Sequence, residues 1–405
     1  MVQIRPFRGV RPPAELAEKV AALPYDVVNS QEAEQLAAEN PYSFFHIDKA
    51  EIDLPETIDP YDEQVYQKAA ENFADFRRKN WLIKEEQPVF YLYQLTMGTR
   101  SQTGLVVCTS IEDYLAKKIK KHEYTRPEKE LDRIRHIEAC DANTSPIFLS
   151  YRKETAIQSI IDQWQAAHAP LYDFTSFHEV THTVWSMDDQ KTIDELVGLF
   201  ADVPALYIAD GHHRTESAVK VGKEKKGSSP ESDVFLSIIF PDDQLAIWEY
   251  NRVLKVTIPD DFLSQLQENF VVEKSEKVKP EKPGEFQLFW ESEWYRLAIK
   301  PEKIPASVVE SLDVSLLQTY VFENIFGIQD VRTDPRIDFI GGIRGSEELE
   351  RLVKQEEWNL AFSLYPTAMK DLLAVADANE IMPPKSTWFE PKLLSGLFLH
   401  ELETR

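Results

Sequence analysis

The chain is nearly without cysteine: Cys108 and Cys140 are its only two, and they form no CxxC pair. That excludes a disulfide framework and a cysteine-based zinc site, and it suits a reducing compartment. Long apolar runs are missing as well. No stretch approaches the roughly 20 consecutive apolar residues of a membrane span, and the opening "MVQIRPFRGVRPP" holds no apolar core of signal-peptide length. The expectation is a cytoplasmic protein with no membrane partner. Positive charge is the third deficit. Lys+Arg 45 against Asp+Glu 69 leaves a formal net charge of −24, which repels a phosphate backbone and speaks against nucleic acid as a partner. A small anionic ligand remains compatible, because arginines, lysines and backbone amides can reverse the field inside one cleft.

What is present is a globular composition, 43% hydrophobic and 28% charged over 405 residues, with room for two or three domains. The first 60 residues are irregular and proline-rich. Within them, 14–22 and 30–39 read as short helices, with Ser30 the N-cap of the second. Residues 61–80 place Val65, Ala69, Phe73 and Phe76 on one helical face. "PVFYLYQLTMG" and "TGLVVCTSI" read as a hairpin turned by "GTRSQ". Further helices are expected at 112–121, 128–140, 155–168, 188–200 and 213–225. Further strands are expected at 146–151, 177–185, "ALYIA", "VFLSIIF" and "QLAIWEYNRVLKV". "KKGSSPESD" has the composition of a solvated loop, and 274–284 that of a linker. The fold class is α+β, with mixed sheets flanked by helices. Residues 1–255 are expected to form an N-terminal α+β region and 256–405 a second one.

One apparent motif misleads. "HEVTH", residues 178–182, matches the HExxH pattern, but that pattern holds a metal only on a helix, where positions i and i+4 share a face. Its surroundings, "FHEVTHTVWSM", alternate like a strand, so a zinc-protease reading is rejected.

The densest chemistry is "YIADGHHRTESA", residues 207–218. An apolar strand runs into Gly211, whose backbone freedom allows a tight turn and close approach of a ligand. The first turn of the following helix offers unpaired N–H groups, a ready anion site. His212, His213 and Arg214 add donors suited to phosphate, and Asp210 is placed to hold magnesium. The bland alternative is that Asp210 caps the helix and the histidines pack or face water.

This stretch, together with "RPFRGVRP", "LPYDVVNSQEA", "NPYSFFHIDKAEIDLP", "HEYTRPEKELDRI" and "MPPKSTWFEPKLLSGLF", resembles a bacterial and archaeal family catalogued as domain of unknown function 1015. The resemblance runs the length of the chain. The DGHHR turn also resembles the phosphate-binding turn of the ParB/sulfiredoxin-like fold, which implies such an element around residues 200–225. Relatives in that fold include CTP-hydrolysing chromosome-partitioning proteins, sulfiredoxin and a kinase of free serine. Sulfiredoxin chemistry needs a cysteine where this chain has His212 or His213, which removes the redox activity.

Three further clusters complete the candidate set. "HEYT" offers His122 and Glu123 as an acid–base pair, with Arg133 reaching phosphate from the next helix. Charge density of this kind more often marks a solvated helix. Asp26 sits in the proline-stiffened "LPYDVV". Lys385, Ser386 and Thr387 present a cation and two hydroxyls, without the glycines of a Walker loop. Arg5, Arg8 and Arg11 either form a local anion site or pair with surface carboxylates.

The expected function is nucleotide binding, with a magnesium-dependent kinase using ATP or ADP on a hydroxyl metabolite such as serine as the leading scheme. In it His213 joins His122 and Glu123 as catalytic residues, Glu123 being the base. Gly211, His212, Arg214, Asp26, Arg133, Lys385, Ser386 and Thr387 bind the phosphorylated ligand, and Asp210 places the metal. The alternatives are a nucleotide sensor without turnover and a hydrolase of a phosphorylated metabolite.

Overall fold

The structure is a computed structural model that describes residues 2–355 and 357–403. The chain divides into two compact units. Unit 1 comprises residues through 120, 125–245 and from 391 on; unit 2 comprises 121–124 and 246–390. The architecture is α+β with mixed and antiparallel sheets. Among the described residues no helix is long and apolar enough to cross a membrane.

Unit 1 is built on a nine-stranded mixed sheet. Its strands are β1 (Ile4–Arg5), β2 (Phe90–Met97), β3 (Arg100–Ser110), β4 (Ile119–Lys120), β5 (Ile147–Tyr151), β6 (Tyr172–Ser176), β7 (Val180–Met187), β8 (Leu206–Asp210) and β9 (Val234–Pro241). They lie in the order β4-β8-β5-β9-β3-β2-β7-β6, with β1 paired to β3. The β8–β4 and β9–β5 pairs are parallel; the other pairs are antiparallel. Helices α1 (Glu63–Arg78), α2 (Pro127–Cys140), α3 (Thr155–Ala167), α4 (Gln190–Ala201) and α5 (His212–Glu224) flank it. Ile157, Ile161 and Trp164 of α3 and Ile193, Leu196 and Phe200 of α4 share one core with Leu92, Leu105, Leu149 and Ile208 of the strands. The periodicity that predicts α1 is realised, with Val65, Ala69, Phe73 and Phe76 all buried.

Local details depart from the sequence reading. The β2–β3 hairpin turns on Gly98 and Thr99 alone, because Arg100, Ser101 and Gln102 join the ladder opposite Met97, Thr96 and Leu95. The helix at Ser30–Ala37 is capped by Asn29, not Ser30. The Asn29 side chain accepts the Glu32 N–H at 2.8 Å while Glu32 accepts the Asn29 N–H at 2.8 Å, a capping box. The helix expected over 112–121 stops at Leu115, where Lys117 adopts a left-handed conformation (φ 59°), and Ile119–Lys120 pairs with Leu206 and Tyr207 instead. "KKGSSPESD" is only partly solvated: Ser232 is fully buried and donates to the Ser229 carbonyl at 2.7 Å. In "HEVTH", His178 and Glu179 lie in a turn with positive φ, so His182 alone is on β7.

Unit 2 holds a six-stranded antiparallel sheet of β10 (Tyr250–Leu254), β11 (Phe270–Ser275), β12 (Glu285–Trp290), β13 (Glu293–Ile299), β14 (Ile337–Gly341) and β15 (Leu360–Leu364). Their order is β11-β13-β12-β15-β10-β14. The linker-like 274–284 stretch connects β11 to β12 inside this unit. Helix α6 (Gly345–Lys354) packs Leu349 and Leu352 on Val253, Phe289 and Ala361.

The packing is testable in each unit. A Cβ at Gly222 of α5 would stand 2.1 Å from Ile111 Cδ1 and 2.4 Å from the Ser232 carbonyl oxygen. Gly222→Ala is expected to destabilise the fold by about 1–3 kcal/mol, read as a lower urea midpoint. In unit 2, burial pushes the Asp313 carboxyl up to about 7 from its ordinary 3.8, against the Gly284 N–H bond that favours its ionised form. A raised carboxyl pKa favours the protonated folded state. Its stabilisation is therefore complete below about pH 4 and is lost as pH rises through 7. Urea titrations should show this decline between pH 4 and 8 flattened in Asp313→Asn.

Candidate functional site

Strand β8 ends in a register shift between Ile208 and Asp210, and Gly211 then opens α5 with φ 94° and ψ 35°. Only glycine takes that conformation readily. Asp210 closes the turn by accepting the Gly211 N–H on Oδ1 at 2.8 Å. Thr215 Oγ1 donates to the Gly211 carbonyl at 2.9 Å, fixing the first helical turn.

Arg214 folds back beneath this turn and is only 7% exposed. Its Nη1 donates to the Pro146 carbonyl at 2.7 Å, and its Nη2 lies 3.8 Å from Asp210 Oδ1. Its Nε is buried without a hydrogen-bond partner. Burial opposes the charge, yet Asp26, Asp210, Tyr25 and Asp48 raise the Arg214 pKa above its usual value, so it stays cationic. Lys392 adds a second cation, with Nζ 3.3 Å from Asp210 Oδ2.

Arg214 lines a small cavity in which Tyr25, Arg133, His136, Thr144 and Ser145 share the wall with Ile137, Ile147, Ala218 and Leu236. Arg133 projects from α2, and its guanidinium lies 3.9 Å from the centre of the Tyr25 ring. It is paired to Asp132 at 2.8 Å. Burial would lower its pKa, but Asp132, Tyr25 and Asp48 outweigh that and keep it charged. Asp132 also accepts the Tyr66 hydroxyl at 2.9 Å, which anchors α2 to α1. Behind the lining, Asp48 accepts the hydroxyls of Thr144 (3.1 Å) and Ser145 (2.9 Å). Burial, reinforced by Arg133, lowers the His136 pKa and holds the ring neutral at pH 7, with Nε2 3.0 Å from the Ile47 carbonyl. Burial and Asp26 raise the Tyr25 pKa, so its hydroxyl stays protonated. The cavity is therefore lined by two permanent cations and the protonated Tyr25, while the Thr144 and Ser145 protons are committed to Asp48; the guanidinium groups are what suit it to an oxyanion.

Of the residues singled out from sequence, Arg133 and Arg214 meet at this cavity, and Gly211 and Asp210 lie against Arg214 without lining it. Asp26 is exposed beside Tyr25. His212 is buried at the first position of α5. His213 is engaged away from the cavity, where its Nε2 accepts the Arg126 N–H at 3.0 Å and so orders the start of α2. His122, Glu123, Lys385, Ser386 and Thr387 belong to unit 2. There His122 is buried, with Nε2 3.3 Å from Thr387 Oγ1, while Ser386 donates to the Pro383 carbonyl and Glu123 is half-buried. Arg5 pairs with Glu231 at 2.7 Å and Arg11 with Glu85 at 2.5 Å, while Arg8 donates to the Glu85 carbonyl at 3.0 Å. The N-terminal arginines thus have partners of their own.

Sequence reasoning missed Asp48, His136, Thr144 and Ser145. A usable signal existed. His136 sits three residues beyond Arg133, on the same helical face, and "NTSP" places two hydroxyls immediately before the strand that neighbours β8.

The chain belongs to the family described as protein of unknown function (DUF1015), whose model matches residues 4–315. No curated protein matches the chain. Among solved structures, a conserved hypothetical protein from Pyrococcus furiosus is 13% identical with a TM-score of 0.38, over 74% of this chain and 95% of that one. SbnI with C-terminal truncation from Staphylococcus aureus is 12% identical with a TM-score of 0.39, over 72% and 85%. A free serine kinase in complex with AMP is 13% identical with a TM-score of 0.37, over 71% and 86%. At that level of similarity the site is read from this chain's own residues.

The turn itself is testable. A Cβ at Gly211 would lie 3.0 Å from Arg214 Nε, and the positive φ adds strain. Gly211→Ala should cost about 1–3 kcal/mol in urea unfolding and displace Arg214 from the cavity.

Proposed function

We propose that unit 1 binds the phosphate end of a small phosphorylated ligand, a nucleotide in the fuller reading, at the cavity under the first turn of α5. The observation that carries this is Arg214: a permanently charged guanidinium that lines the cavity with a buried N–H lacking a protein acceptor. Burying such a donor unmatched is costly, and an oxyanion would satisfy it. Arg133 supplies the second cation, and the DGHHR sequence resembles the phosphate-binding turn of the ParB/sulfiredoxin-like fold. Phosphate binding fits a cytoplasmic metabolic protein.

The fuller scheme is phosphoryl transfer from ATP or ADP to a hydroxyl metabolite such as serine, with Glu123 deprotonating the acceptor. Positioning and charge neutralisation account for most of catalysis in such a transfer. Magnesium is the part that fits least well. Asp210 is committed to the Gly211 N–H and stands beside both Lys392 and Arg214, a poor setting for a divalent cation. That commitment favours the second reading, a phosphate-ligand sensor without turnover.

Thermal stability against nucleotides and phosphorylated metabolites, with and without magnesium, separates these readings. A ligand at a hundredfold excess over its Kd adds about 2.7 kcal/mol to the native state. The stabilisation is expected to vanish in Arg214→Gln; unchanged affinity in that variant would remove the cavity from consideration. Turnover surviving in full in Glu123→Gln would exclude Glu123 as the base.

A further inference from the structure

Unit 2 has a cavity of its own, about 360 Å³ in volume. It lies at the end of the sheet where β10 runs out opposite the start of β15, and where β12 turns into β13. Its apolar surface comes from the indoles of Trp290 and Trp358 with Ile258 and Val353. Lys255 and Glu291 complete the lining with one charge of each sign. A volume of this size, with aromatic walls and a few polar groups, is the usual make-up of a small-molecule site.

The protein fixes this frame by itself. Asn359, also at the cavity, clamps the end of β10. Its N–H donates to the Leu254 carbonyl at 2.9 Å, its Oδ1 accepts the Val256 N–H at 3.0 Å, and its Nδ2 donates to the Val256 carbonyl at 2.6 Å. Lys255, between those two residues, donates its own N–H to the Arg336 carbonyl at 2.8 Å. Trp290 is braced edge-on by Phe262, with ring centres 5.4 Å apart, and Trp358 packs on the core that α6 covers. The two-residue turn between β12 and β13 is Glu291–Ser292, with φ 50° and 64°. Asparagine and glycine suit such a turn. The chain instead places a carboxylate there, at the cavity, in a backbone conformation that a longer side chain disfavours.

The polar groups of the lining are unmatched. Lys255 and Glu291 do not pair with each other, and neither side chain has an ion-pair or hydrogen-bond partner among the described residues. The indole N–H groups of Trp290 and Trp358 also donate to no acceptor among those residues, whereas those of Trp294 and Trp388 reach Glu350 at 2.9 Å and Glu390 at 2.7 Å. A separated cation and anion beside two indoles complement a zwitterion with an apolar body. An anion alone would leave Glu291 unmatched, and an amine alone would leave Lys255 unmatched.

We propose that this cavity binds a free amino acid with an apolar side chain. The ligand carboxylate meets the Lys255 ammonium and an indole N–H, its ammonium meets Glu291, and its side chain lies on the indoles with Ile258 and Val353. Every lining residue belongs to unit 2, so the proposal does not rest on the unit 1 cavity.

Equilibrium dialysis of the full chain with radiolabelled L-phenylalanine tests it. Saturable binding is expected, weakened roughly tenfold in Lys255→Gln and in Glu291→Gln, both at exposed positions. Three unlabelled competitors should each act at least tenfold more weakly than L-phenylalanine: 3-phenylpropionate lacks the ammonium, phenethylamine the carboxylate and glycine the apolar body. Absence of saturable L-phenylalanine binding overturns the proposal, as does binding that either substitution leaves unchanged. A competitor acting as strongly as L-phenylalanine overturns it too, because the group that competitor lacks would then make no contact. Binding abolished by Arg214→Gln in a folded chain, judged by circular dichroism, belongs to unit 1 and overturns this assignment while leaving the unit 1 reading in place.

Discussion

The hydrogen bond from the Arg214 guanidinium to the Pro146 carbonyl is the constraint around which unit 1 is arranged. For the side chain to reach that carbonyl it must fold back under its own helix, which brings its Nε to 3.0 Å from where a Cβ at Gly211 would stand. The left-handed glycine in turn ends β8 and starts α5 in one step, with Asp210 closing the turn. Helix α5 is then held on α2 by Ser217, whose hydroxyl donates to the Glu130 carbonyl at 2.9 Å, and by the Lys220–Glu130 ion pair. Helix α2 presents Arg133 to the same cavity. The buried charge thus sits where the turn, the helix pair and the cavity wall meet.

A net charge of −24 suggests a molecule that repels anions, yet its buried cations show how local the field is. Arg133, Arg214 and Arg252 form a graded series of compensation. The first has a carboxylate at hydrogen-bond distance, the second has one at 3.8 Å, and the third, on β10, has only the Tyr250 and Lys385 carbonyls and the Phe339 ring. Desolvation weighs on all three. Their differing partners decide how far each charge is offset within the fold. Surface acidity acts over the screening distance of the solvent, whereas these groups act at contact.

Much of this was legible in the sequence. The strand–glycine–helix punctuation of "YIADGHHR" located the turn because glycine between an apolar strand and a polar helix has few other uses. The amphipathic spacing of Val65, Ala69, Phe73 and Phe76 located α1 for an equally local reason. The rest of the site was not legible: His136, Thr144, Ser145 and the Asp48 that holds their hydroxyls come from three separated segments, and only tertiary packing brings them together. Nor could composition distinguish a linker from a β-strand connection at 274–284, since lysine, glutamate and proline suit both. His213 looked like a phosphate ligand because its neighbours do. One partner, the Arg126 N–H, lies 87 residues away in the chain and was beyond what local sequence could indicate.

The path of the chain has a consequence for how unit 1 is made. Residues from 391 on supply Lys392 beside Asp210, Ser395 beside Ser145, and Leu399, whose carbonyl and N–H bridge Val10. During synthesis, all of 246–390 leaves the ribosome before these residues do. Unit 1 therefore cannot close its seam at Val10, or bring Lys392 beside Asp210, until residues beyond 390 are free of the ribosome, although most of its sheet is synthesised before most of unit 2.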